Sequence, residues 1–185
     1  RFNLLQRPRL RYALQKMRIL HCCLANYYID DYSYQENVLP RMHKLQGHQV
    51  AILASTETYV DHATLGYVAP RSYHTGDNIP ISRVPYTRWL PHWLGKKLRI
   101  YEGIATALTK FAPEIIFLHD CQFISVREIA AYAKAHPAVV IYADSHTDFI
   151  NSARGWLSRT VLHKLVYRWC VKTIEPFVRK FYGTL

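Results

Sequence analysis

Asp144, His146 and Asp148 alternate along one short stretch, and a second imidazole–carboxylate pair, His119-Asp120, stands upstream. Histidine and carboxylate at short local spacing form a usable donor set for a metal ion, and His119, Asp120, His146 and Asp148 together would supply one. The same groups can orient and polarise a polar ligand instead, because imidazole is the side chain whose charge changes near neutral pH. Ser145, Thr147 and the aspartates also suit turns and helix caps, so the residue types alone leave a structural role open. Two other chemistries lack their residues. No Gly-x-Ser-x-Gly nucleophile elbow occurs, and no glycine lies between positions 18 and 46 to build a dinucleotide-binding turn after the first strand.

These residues need a scaffold that brings distant loops together. The run 138–143 is continuously apolar and runs straight into Asp144, which reads as a strand buried on both faces, as in parallel sheets. Similar runs at 18–23, 49–55 and 114–119 alternate with helical patterns at 34–46, 98–111 and 126–135. The first helix is expected to stop at Gly47 through a left-handed cap, and Pro113 and Pro137 end the other two. Between them, residues 56–95 are broken by Gly66, Pro70, Gly76, Pro80, Pro85, Pro91 and Gly95. This excursion carries one expected strand at 79–84 and enough tyrosine and tryptophan to pack onto the domain as a wall. Alternating strands and helices of this kind predict an α/β fold with a doubly wound, mostly parallel, Rossmann-like sheet. Ligands of such sheets bind beyond the carboxyl ends of the strands. Tyr34, Gln35, His119, Asp120, Asp144, His146 and Asp148 would therefore share one edge.

The chain has 185 residues, enough for one domain with a substantial core. Its four cysteines, at 22, 23, 121 and 170, have no zinc-site spacing and read as reduced core residues of a cytoplasmic protein. The net charge of +11 is unevenly placed. Residues 1–16 hold Arg1, Arg7, Arg9, Arg11 and Lys16 and no acid, and are read as a basic extension before the domain at 17–185. A second basic stretch, 158–172, puts Val161, Leu162, Leu165, Val166 and Trp169 at helical spacing with Arg159, Lys164, Arg168 and Lys172 between them. That basic amphipathic helix suits either core packing or peripheral contact with anionic lipid at the inner face of a membrane. Nucleic acid is not expected, since no helix-turn-helix, zinc or RNP signature occurs and the tyrosines are scattered.

Met17-Arg18-Ile19-Leu20-His21, the stretch from Glu36-Asn37-Val38-Leu39-Pro40 to Gly47-His48-Gln49-Val50, Pro113-Glu114-Ile115-Ile116-Phe117-x-His119, and Asp144-x-His146-x-Asp148 follow one another in an order that resembles the amino-terminal half of retaining glycosyltransferases of family 4. That order and spacing carry the resemblance. It implies a GT-B arrangement of two facing Rossmann-like domains, with this chain the acceptor-side one, ending near an interdomain linker and inactive without a donor-binding partner domain. It further implies transfer of a sugar from a nucleotide-sugar to a saccharide or lipid-linked acceptor, with retained anomeric configuration and no metal or other cofactor. His146 would meet the donor sugar near the reacting carbon, with Asp144 or Asp148 fixing its second nitrogen. His119, Asp120, Asp144, Asp148, Tyr34 and Gln35 would contact substrate. Where the family has a Gly-Gly pair after the first strand, Tyr34-Gln35 stands here, so side chains replace bare backbone. The family's Glu-x7-Glu motif does not occur before Leu185. The alternative is a non-catalytic, flavodoxin-like α/β module that binds an anionic ligand or a membrane surface.

Overall fold

A computed structural model describes residues 16–61, 64–144 and 165–182. Six strands run parallel: β1 (Arg18–Cys23), β2 (Gln49–Ser55), β6 (Pro80–Val84), β7 (Ile115–His119), β8 (Val140–Asp144) and β9 (Val178–Tyr182). A seventh, β5 (Arg71–His74), pairs antiparallel with β6 at one edge. The order across the sheet is β5-β6-β2-β1-β7-β8-β9. From β1 the chain moves outward through β2 to β6, then crosses back and continues through β7, β8 and β9 on the other side. The order thus reverses between β1 and β7, and that reversal splays the connecting loops apart above the carboxyl ends. A two-stranded hairpin, β3 (Glu57–Asp61) and β4 (Thr64–Tyr67), stands apart from the sheet.

Helices cover both faces. Leu20, Cys22, Leu53, Ile116, Leu118 and Ile141 share a core with α3 (Ile104–Phe111), α4 (Val126–Ala135) and α5 (Arg168–Ile174). Because side chains alternate along a strand, Cys23, Val50, Ile52 and Ala54 point the other way. His21 shares their face, where α1 (Gln35–Leu45) lies against β1 and β2. Cys22, Cys23, Cys121 and Cys170 are free and buried. α1 stops at Gly47, whose φ of 92° needs no Cβ and lets Gly47 N–H reach Lys44 O.

Three expectations are corrected. The helix expected over 98–111 starts only at Ile104, as α3, and a separate helix, α2 (His92–Leu98), precedes it, because Arg99 and Gly103 take positive φ and Tyr101 pairs with Tyr86 in a β-bridge. The excursion carries β3, β4 and β5 besides β6; Gly66 lies inside β4, Pro80 opens β6 and Gly95 lies inside a helix, so these residues do not break the chain as expected. Finally, Leu165 and Trp169 are not on the buried stripe of the last helix. Cys170 and Ile174 are buried and Val166 packs beside them, while Leu165 is 64% and Trp169 46% exposed. Residues 158–164 of that expected helix, and the extension at 1–15, lie outside the described residues, and no described helix is long and apolar enough to cross a membrane.

Candidate functional site

Two adjoining cavities open at the carboxyl edge of the sheet. The first, of about 360 Å³, is reached by the loop after β1 (Leu24 to Tyr27), by Ser55 and Glu57 after β2, by Tyr86 after β6, and by Trp93, Lys96 and Lys97 of α2. The second, of about 440 Å³, continues along the same β1 loop to Tyr34, Gln35 and Glu36 at the start of α1. Ala25, Asn26, Tyr27 and Arg99 line both.

The wall of the first cavity is a built polar network. Glu57 is buried; Lys96 Nζ meets its Oε1 at 2.7 Å and Tyr86 OH donates to its Oε2 at 2.9 Å. The hydrogen bond to Glu57 holds Lys96 above the ordinary lysine range. Tyr101 OH donates to Leu24 O at 2.6 Å, and burial pushes its phenol up to about 12, so it stays a donor at neutral pH. With Glu57 offsetting Lys96, the cations left to face a ligand are Lys97 and Arg99. Arg99 is held at φ 51°, a conformation that costs an arginine about 1 kcal/mol and that surrounding structure must enforce. Its guanidinium donates to Gln122 O and lies 5.8 Å from the Tyr167 ring centroid. Cationic groups among aromatic faces suit a ligand that carries both an anionic group and a ring, since aromatic faces stack on flat or apolar ring surfaces and guanidinium binds phosphate oxygens.

Behind Gln35 runs a line of imidazoles, His21 and His119 buried and His43 half-buried. His21 Nδ1 meets His119 Nε2 at 3.0 Å, and His21 Nε2 meets His43 Nδ1 of α1 at 3.0 Å. His119 Nδ1 faces Asp144 Oδ2 at 3.3 Å, but off-line, so that this nitrogen lacks a full hydrogen bond. Gln35 Nε2 donates to the same Asp144 oxygen at 2.9 Å, and Asp120 N–H to its other oxygen at 3.2 Å. Burial, then the neighbouring His119 and His43, push His21 well below the ordinary histidine range; burial and His48 lower His43. Each nitrogen–nitrogen contact can hold one proton, one ring donating and the other accepting.

Of the residues singled out from sequence, Gln35, His119, Asp120 and Asp144 are thus brought into one connected cluster, and Tyr34 and Gln35 line the second cavity. His119, Asp120 and Asp144 are each at most 2% exposed and line neither cavity. They stand behind the wall and position Gln35. Asp120 sits at φ 68°, its Oδ1 accepts from Cys121 and Gln122 N–H, its Oδ2 has no partner among the described residues, and burial raises its pKa. His146 and Asp148 lie outside the described residues. Among the described residues no group of three His, Cys, Asp or Glu side chains could hold a metal ion. Sequence reasoning missed His21, which stands inside an apolar strand and acquires partners only through the β1–β7 register. It also missed Glu57 and Tyr86, dispersed through the excursion, and Lys96 just past it; the excess of cations over 88–99 was the available signal. No family model matches this chain, and no curated protein matches it.

Proposed function

We propose that this chain is the acceptor-side lobe of a retaining glycosyltransferase of the GT-B arrangement. The observation that carries the reading is the crevice above β1, β2 and β6, which Tyr27, Tyr86 and Trp93 line together with Lys97 and Arg99. Aromatic faces hold sugar rings and the cations hold phosphate, the two parts of a sugar donor or a phosphorylated acceptor. The reversal of strand order beside this crevice and the order of the sequence motifs support the same reading. On this proposal a second lobe closes over the carboxyl edge and brings the nucleotide-sugar. The acceptor attacks the anomeric carbon on the face the nucleotide leaves, through an oxocarbenium-like transition state. His146 meets the donor sugar at that carbon, and the Gln35–Asp144–His119 cluster keeps the adjoining wall in place.

The test is nucleoside diphosphate release by the full-length gene product, offered UDP- and GDP-sugars with candidate saccharide and lipid-linked acceptors. Turnover that falls at least tenfold in Arg99→Ala supports the proposal; release from no donor rejects it. The net positive charge of the crevice also favours a second reading, a module that binds an anionic ligand without turning it over. That reading expects saturable nucleotide binding and no release.

A further inference from the structure

We infer that the rim around the crevice docks on an anionic lipid bilayer, so that the ligand the crevice receives is borne by that membrane. Two elements meet at the first cavity: Trp93 of α2 and Tyr167, just before α5, line it together. The stretches they belong to, 88–99 and 165–174, contain Arg88, Lys96, Lys97, Arg99, Arg168 and Lys172 and no carboxylate. They also carry apolar surface that the fold leaves in water. Trp89 is 91% and Trp93 66% exposed, and Leu165, ahead of α5, and Trp169 within it stay exposed while Cys170 and Ile174 take the core.

An exposed tryptophan is costly in water, and four large exposed apolar side chains on the two stretches that meet at this cavity have a physical use where one end of the ring is apolar and the other wet. Indole rings among lysines and arginines match the interface of a bilayer, the rings entering at headgroup depth and the cations meeting lipid phosphates. A protein partner or a second lobe of the same protein would also cover apolar surface. The uniform positive sign over both stretches favours an anionic bilayer, and the local cations other than Arg88 and Lys96, which face Glu102 and Glu57, have no ion pair among the described residues. This inference deepens the proposed function by assigning the acceptor to the lipid phase, and it rests on that reading only for what happens after docking.

The experiment is sedimentation of the full chain with large unilamellar vesicles of phosphatidylcholine alone or with 30% phosphatidylglycerol, together with tryptophan quenching by brominated phosphatidylcholine. Trp89→Ala/Trp169→Ala removes two rings that line neither cavity and is expected to weaken partitioning about tenfold. Arg168→Glu/Lys172→Glu is expected to weaken it at least as much on the anionic vesicles and little on neutral ones. Circular dichroism checks that both variants fold. Preference for anionic vesicles with quenched tryptophan supports the inference. Absence of binding, equal binding to both compositions, or binding indifferent to both variants overturns it. Sugar transfer is not measured, so loss of docking leaves the transferase reading to its own assay.

Discussion

The imidazoles of His21 and His119 meet edge to edge across neighbouring strands, Nδ1 to Nε2 at 3.0 Å, with neither ring reaching solvent. Register produces this contact. His21 is opposite Phe117 in the β1–β7 ladder, so His119 is its diagonal neighbour on the same face. A one-residue slip would send one ring to the opposite face.

Stability should fall on the acid side of neutrality. Burial keeps His21 neutral in the folded chain, whereas the unfolded chain takes up its proton near the ordinary value of about 6.5. The unfolded state then binds more protons, so folding free energy is full above that pH. It declines as pH falls below it, by at most about 1.4 kcal/mol per pH unit for this one group. His43 acts in the same direction. Urea midpoints between pH 8 and pH 5 measure the slope, and His21→Phe should reduce it. A midpoint unchanged across that range contradicts the buried, neutral His21.

His119→Ala should destabilise the domain by about 2 to 4 kcal/mol, because it opens a cavity and leaves His21 Nδ1 without a partner. Phenylalanine at 119 fills the space yet still strands that nitrogen, so it should recover only part of the loss. Denaturant unfolding of the two variants separates the packing contribution from the polar one.

Breaking the Glu57–Lys96 pair from the lysine side leaves a buried carboxylate with Tyr86 as its remaining donor. Lys96→Met should therefore cost about 1 to 3 kcal/mol, less than a fully buried pair because the lysine is partly in water. Adding Glu57→Gln should return much of it, since the amide oxygen still accepts from Tyr86. A double-mutant cycle with no coupling contradicts this geometry of the wall.

The sheet was legible wherever burial on both faces made a strand continuously apolar. Residues 18–23 and 49–55 match β1 and β2, and the helix at 126–135 matches α4. The 98–111 stretch misled because Leu98, Tyr101, Ile104, Ala105 and Leu108 keep helical spacing across a turn. Nothing in that pattern shows that Arg99 adopts a left-handed conformation, which tertiary contacts to Gln122 and Tyr167 stabilise. The site was legible in part for a similar reason. His119, Asp120 and Asp144 advertise themselves as polar residues closing apolar strands. Glu57, Tyr86 and Lys96 converge only once the hairpin and α2 have folded onto the edge.

Gln35 couples the buried cluster to the crevice through its 2.9 Å hydrogen bond to Asp144. Gln35→Ala should leave stability within about 1 kcal/mol, since the residue is exposed. On the proposed function it should raise KM for the acceptor more than it lowers kcat. Steady-state kinetics of the full-length gene product provide the comparison, and an unchanged KM removes Gln35 from the acceptor wall.

The most direct measurement is proton NMR of the glycoside formed by the full-length gene product from an α-linked nucleotide-sugar. The account predicts an α-linked product, formed at least about 100-fold more slowly by a folded His146→Ala variant. A β-linked product, or wild-type-like turnover in that variant, would contradict it.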